Sequence, residues 1–309
     1  MKFLSTILAF FACLAVHAQQ FLDNRTDLQK LELKGRVKSV KTFTLSKITH
    51  LTQEELQKMV VQGKKPPYYK REWGKTLYFN EIGYITKSRA KSALGNDIYD
   101  NVYDTEGKLI AITTFDDDES VRHVYSFAYD ERGHIASAIR ESSEKVYFKE
   151  SYLCDNNGRL LHLVHDFLDG RIQEGRFEYK NGKLTKVDMT LNGEPVKTFI
   201  CDGEFTNPTE IYSWRDGECT HIRFGFNDQK QPITVSTETA TGEWYVSTER
   251  QLDNHGNVVS EKHLDEDGSI EAVITTTYKY DARGNWIRME TKGLDEYMDS
   301  IIEREIVYY

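Results

Sequence analysis

The side chains that could do chemistry in this chain are its acidic turns, its histidines, its carboxylates and its tryptophans. Asp265-Glu266-Asp267-Gly268 has the look of a calcium-loop fragment, but the ligands that should follow and the distal Glu are missing. Asp116-Asp117-Asp118-Glu119 concentrates the most negative charge and is the first candidate for a weakly held calcium ion. Both stretches read more simply as solvated hairpin turns. His162 and His165 stand three apart, which on a strand puts them on opposite faces, so they cannot share a metal without a bulge. Cys-x-x-Cys and His-Glu-x-x-His are absent, and no metal or other cofactor is expected.

Catalytic signatures are missing in the same way. There is no Gly-x-Ser-x-Gly elbow and no Gly-rich phosphate loop. Carboxylates are plentiful, yet nothing singles out a pair for glycosidase-like work. A non-enzyme is expected. The aromatics remain. Trp73, Trp214, Trp244 and Trp286 lie beside turns or at strand ends, and Tyr99, Tyr125, Tyr147 and Tyr152 lie along strands. Such rings either form a platform for sugar faces or fill the sheet's own core, and the tyrosines favour the core. Trp214 and Trp244 flank hairpin tips. With Tyr245 and Trp286 they are the candidate ligand-binding residues.

The elements that must position these residues recur. An alternating aromatic strand runs into an Asp or Asn, then a Gly turn, then an apolar strand leaves, as in Tyr278 to Ile287. Turn glycines fall at Gly83, Gly107, Gly133, Gly158, Gly182, Gly256 and Gly284, with Pro208 and Pro232 in the two vacant slots, at spacings of 24 to 28 residues. A fixed period of this size marks a repeat array. Four residues before the Gly stands a large apolar or aromatic group (Phe79, Tyr103, Tyr129, Leu252, Tyr280, with Cys154 as the small exception). The following Asn80, Asp104, Asp130, Asp155, Asp253 or Asp281 can accept hydrogen bonds from backbone N–H groups just ahead and start the turn. Gly then takes the positive φ. Two residues after Gly comes Ile85, Leu109, Ile135, Leu160, Leu184, Val258 or Trp286, opening the return strand. A second turn divides each period, as at Asp169-Gly170, Asn192-Gly193, Asp216-Gly217, Thr241-Gly242 and Asp267-Gly268. Apolar pairs such as Ile110 and Ile112, Leu161 and Leu163, Val187 and Met189, and Ile287 and Met289 are expected to share the buried face.

Residues 1–18 read as a signal peptide: Lys2, an apolar run, then Val16-His17-Ala18 before Gln19. The run is too short to span a bilayer as a stable helix, and an exported protein is expected, in the periplasm, at the cell surface or secreted. The net charge of −9 becomes −10 without Lys2, and acidity of this kind repels nucleic acid. Cys154, Cys201 and Cys219 are odd in number and read as small buried residues without a disulfide. Residues 19–68 form a lead-in with a capping strand around Leu33 to Thr44 and one helix over 51–62. Thr52 and Glu55 make that helix's capping box, and Leu56, Met59 and Val60 form one face. Residues 69–309 form the array.

The Tyr-Asp-x-x-Gly text at Tyr103–Gly107, Tyr129–Gly133 and Tyr280–Gly284 resembles the YD-repeat, or Rhs-type, family over residues 69–309. The resemblance implies a β-hairpin array wound into a spiral sheet, exported, and associated with cell surfaces and carbohydrate binding. Long members of that family end in a proline-rich junction and a variable toxin domain. This chain has neither, so a short stand-alone relative of sugar-binding type is expected. The fold class expected is all-β: one long twisted, coiled sheet of antiparallel hairpins, an open spiral or half-barrel, with one short helix near the N-terminus. Its surface would bind a glycan or an envelope protein. Pairing with an envelope partner through the sheet edges is the alternative, and a carboxylate-based glycan hydrolase ranks third.

Overall fold

The computed structural model describes residues 25–47, 52–63, 69–90, 97–143, 145–203, 207–293 and 299–309. The signal-peptide stretch lies outside the described residues. Among the described residues two helices lie near the start, α1 (Asp27–Lys30) and α2 (Gln53–Val61), separated by β1 (Val37–Lys47). Helix α2 is the expected one, with Glu55 N–H donating to Thr52 Oγ1 at 3.3 Å and Thr52 N–H to Glu55 Oε2 at 2.9 Å. Helix α1 was not expected. It too carries a capping box, between Thr26 and Gln29.

The array follows as β2 (Tyr69–Phe79), β3 (Ile85–Ala90), β4 (Asp97–Tyr103), β5 (Leu109–Phe115), β6 (Val121–Tyr129), β7 (Ile135–Glu141) and β8 (Val146–Cys154). It continues through β9 (Leu160–Asp166), β10 (Ile172–Lys180), β11 (Lys183–Leu191), β12 (Glu194–Gly203), β13 (Pro208–Arg215) and β14 (Glu218–Phe226). The remaining strands are β15 (Pro232–Glu238), β16 (Trp244–Leu252), β17 (Val258–Leu264), β18 (Ile270–Tyr280), β19 (Trp286–Lys292) and β20 (Ser300–Tyr308). The paired strands are antiparallel and belong to one 20-stranded sheet.

The turns work as their residue types demand. Asp130 Oδ1 accepts from Arg132 N–H and His134 N–H at 2.9 and 2.8 Å, and Asp253 and Asp281 accept from their own turns in the same way. The turn glycines sit at positive φ, for example +84° at Gly107 and +87° at Gly256. Pro208 and Pro232 do not occupy glycine slots: they open β13 and β15. In the Pro232 copy, Asn227 Oδ1 accepts from Gln229 and Gln231 N–H, and Lys230 takes the positive φ of +59°. A lysine in that place carried no turn signal.

One recurrent irregularity overrides strict alternation. Phe79 pairs with Ile85 and Tyr78 with Lys87, which leaves Thr86 without a partner; Ala136, Leu161, Thr185 and Ile287 are left out in the same way. Each is a β-bulge at the start of the return strand. Core residues on these strands are therefore three apart: Leu160 with Leu163, Ile135 with Ala138, Leu184 with Val187. Ile110 and Leu161, expected to be buried, are each 37% exposed.

The open spiral or half-barrel is corrected. Strand β1 pairs with β2 on one side and with β20 on the other, while β20 also pairs with β19. First and last strands are thus neighbours, and the strand order closes as a β-barrel. Closure satisfies both edges, which an open array would leave as rows of unpaired N–H and C=O groups. It also removes the basis for partner binding through those edges.

The chain divides into two compact units, one containing Asn101–Gln251 and Lys262–Glu271, the other Thr26–Asp100, Leu252–Glu261 and Ala272–Tyr309. The first is built on Leu109, Phe127, Ile135, Leu163, Phe177 and Val187, with Tyr125 and Tyr152 packed among them. The second is built on Leu28, Val37, Val40 and Phe79, with Ile85, Ile306 and Tyr308 against them. Cys201 is buried, but Cys219 is exposed, against expectation; all three described cysteines are free.

In the second unit successive repeats are clasped. Tyr280 donates its hydroxyl to Asp253 Oδ2, and Tyr308 to Asp281 Oδ2. Burial alone would raise these two carboxyls. Hydrogen bonds from the tyrosines and from turn N–H groups outweigh it and hold both below the ordinary 3.8. A depressed folded-state value stabilises the fold above the unfolded value, and that stabilisation is lost as pH falls through the folded one. Unfolding followed by denaturant titration should therefore weaken from about pH 4 downward, and Asp281→Asn, which keeps the turn acceptor but does not titrate, should flatten that loss. A second test isolates the turn itself. A Cβ at Gly107 would meet nothing within 4 Å, so Gly107→Ala should cost only the left-handed backbone, about 1–2 kcal/mol, and Gly107→Asn measurably less.

Candidate functional site

The structure brings Trp214 and Trp244 into one cluster, on strands β13 to β16 of the first unit. Cross-strand register sets Tyr212 opposite His221 and Glu210 opposite Arg223, and sets Glu238 opposite Trp244. A row of rings results. Tyr212 stacks on His221 with centroids 3.8 Å apart, Trp214 stacks beside Tyr212 at 6.1 Å, and Trp244 meets His221 edge-on at 4.6 Å. Both tryptophans are partly exposed.

Charged groups frame the row. His221 is 7% exposed, with Nε2 2.8 Å from Glu210 Oε2 and Nδ1 2.8 Å from Glu238 Oε2. A neutral imidazole has one N–H, so a further proton must lie on the ring or on one carboxyl to satisfy both contacts. Glu210 also accepts from Tyr212 and Arg223, each at 3.2 Å. Burial raises the Glu210 carboxyl, but the bonds from His221 and Tyr212 and the Arg223 charge together hold it below its ordinary value. The Arg223 guanidinium lies 3.9 Å over the Trp244 ring. Both carboxylates are thus committed to positioning His221, which locks the ring row in place. Tyr212, His221 and Arg223 were not singled out from sequence; the cross-strand register of Tyr212 with His221 was the available signal.

Trp286 lies in the second unit and does not join this row. It lines a cavity of about 410 Å³ together with Tyr280, His255, Asn257 and Arg304. Tyr245 neighbours Trp244 on β16, pairs across to Thr237, and is half-buried. Alternation places it on the face opposite Trp244. Of the acidic turns, Asp116 binds Arg122 Nε at 2.6 Å and Asp118 caps Ser120 N–H at 3.0 Å. Among the described residues, no group of three or more His, Cys, Asp or Glu side chains is placed to hold a metal. No described helix is long and apolar enough to cross a membrane.

His165 went unnoticed in the sequence except as a partner to His162. It is 1% exposed, sandwiched between Phe148 at 4.3 Å and Phe167 at 4.2 Å. Its Nδ1 lies 2.7 Å from Glu150 Oε1, and Tyr152 donates to Glu150 Oε2 at 2.5 Å. Burial, and then the Glu150 charge, push the Tyr152 hydroxyl far above its ordinary value, so it remains a donor. This is a core network, closed to a large ligand by its burial.

No protein-family model matches the chain, and no curated protein matches it. Among solved structures it is similar to TcdB2-TccC3, with 12% identity and a TM-score of 0.35 over 76% of this chain. It is also similar to the Tc holotoxin pore of Photorhabdus luminescens, with 12% identity and a TM-score of 0.33 over 93% of this chain. The chain spans 16% and 20% of those two chains. A porin-like protein from Bacteroides uniformis ATCC 8492 is matched over 89% of this chain and 99% of its own, at 9% identity and a TM-score of 0.38. At such scores the likeness carries no argument about activity.

The buried trio generates a stability test. Removing the histidine with His165→Leu leaves the Glu150 charge without its imidazole and should cost about 3–5 kcal/mol in denaturant unfolding. Adding Glu150→Leu should cost less than the sum of the two single changes, because the pair acts as a unit.

Proposed function

We propose that this protein is an exported, non-enzymatic binding module of the YD-repeat type, and that the Trp214–Tyr212–His221–Trp244 row is its carbohydrate platform. The observation that carries the reading is the row itself: four rings from three strands, partly open, with His221 held between two carboxylates. A preset flat aromatic surface with polar groups at its rim suits a ligand with one apolar face and many hydroxyls. Holding the rings in advance lowers the entropy lost on binding. The leader-like start of the sequence supports export, and the Asx turns at Asp104, Asp130 and Asp281 support the repeat type.

A glycan array followed by calorimetry tests the reading. Trp214→Ala and Trp244→Ala should each weaken binding by about 2 kcal/mol, more than tenfold, with unchanged far-ultraviolet circular dichroism. Absence of any bound glycan, or variants that bind like the parent, would sink it.

A further inference from the structure

Among the described residues of the second unit, no carboxylate pairs with Arg304. Arg304 lies on β20 at the cavity wall, its guanidinium carbon 3.3 Å from the centre of the Trp286 ring. Its Nε is fully buried and has no hydrogen-bond partner. The neighbouring acids on β20 are taken: Glu303 by Arg71 and by Arg288 at 2.6 Å, and Glu305 by Arg71 at 2.9 Å. Alternation places those acids on the opposite face from Arg304. Burial pulls the Arg304 guanidinium down to about 10, so it still carries its charge at neutral pH.

The rest of the wall has the composition of a receptor. Lys34 adds a second positive charge and is exposed; Glu32, also exposed, is the one acid among the described lining residues. His255 stacks on Tyr280 at 3.9 Å. Asn285 holds the wall in shape, accepting from Lys34 N–H at 2.7 Å and donating to the Lys34 carbonyl at 2.9 Å. The cavity volume of about 410 Å³ is within the range of small-molecule sites.

We propose that this cavity binds a small molecule through an oxyanion, Arg304 gripping a carboxylate or phosphate group in its planar fork while Trp286 holds the guanidinium in place. A partly buried cation whose Nε has no partner is costly, and a forked guanidinium fits a two-oxygen anion geometry that an ammonium does not. The site and the tryptophan row share no residue and belong to different units, and neither reading depends on the other.

The test uses the full chain at constant ionic strength, set with sodium chloride, and titrates inorganic phosphate, glucuronate and glucose by calorimetry. Saturable binding of either anion supports the site and identifies the group it takes. Binding of neither anion, or of glucose as tightly as glucuronate, overturns it. Arg304→Met should weaken anion binding at least tenfold, and Arg304→Lys should fall between that variant and the parent. An affinity unchanged in Arg304→Met overturns the proposal. A readout that needs no variant is the melting temperature of the unsubstituted chain, which should rise with the bound anion and not with equal added chloride. No difference between the two salts also overturns it.

Discussion

One carboxylate serves two repeats. Asp281 gives Oδ1 to the N–H groups of its own turn and Oδ2 to the hydroxyl of Tyr308, on the strand of the following repeat. Asp253 does the same with its turn and Tyr280. Asn257 and Asn285 complete the arrangement, donating to the same tyrosine oxygens at 2.7 and 2.8 Å. The tyrosine and the aspartate are adjacent in sequence yet bind in opposite directions along the array. These two repeats therefore fix their turn and their neighbour with the same carboxylate, and a half-buried hydroxyl and carboxylate satisfy one another. A thin core can be tolerated on these terms, because turn geometry and register are set by polar contacts as much as by apolar burial.

Local turn and global closure are linked by the bulge. An extra residue after the turns at Gly83, Gly133, Gly158, Gly182 and Gly284 increases the twist of the strand that carries it. Repeated through the array, it bends a sheet that would otherwise present two raw edges. The pairing of β1 with β20 is where that accumulation meets itself. In that pairing Val37 meets Tyr308 and Ser39 meets Val307, which leaves Lys38 of β1 as an extra residue. The closing strand thus shares the irregularity of the repeats it joins.

Much of this was legible in the residues. The Asp and Gly of each turn, the strand on either side and the helix opened by Thr52 could be read directly, because each rests on a local rule of conformation. What could not be read was long-range or one residue wide. The bulge at Leu161 displaces the hydrophobic face by a residue, and its sequence, Leu160-Leu161-His162-Leu163, alternates no worse in the wrong register than in the right one. Closure depends on β1 meeting β20 across nearly the whole chain, and no local signal encodes it. Lys230 fills a glycine's place because Asn227 caps the turn strongly enough to carry a left-handed lysine, which composition does not announce. The tryptophan candidates divided for a related reason. Trp214 and Trp244 share a face through the cross-strand register of β13 to β16, whereas Trp286 belongs to another unit.

The repeat makes its own departures visible. Two residues after the turn, most copies place an aliphatic core residue, Leu109, Ile135, Leu160 or Leu184; the last places Trp286. Four residues before the residue that precedes the turn Asp, two copies place Tyr99 and Tyr125 and another places Glu150; Arg304 stands in the same relation to Tyr308, which no Asp follows. Glu150 is answered from within, by His165 on the facing strand and by Tyr152. Arg304 lies against the face of Trp286, which attracts a cation but does not neutralise it. The two copies solve one electrostatic problem differently. The first closes its charge inside a packed core of phenylalanines, where it serves stability. The second leaves its charge beside a cavity, with the guanidinium Nε buried and unpaired, and such a group is stable there to the degree that solvent or a bound anion completes the guanidinium.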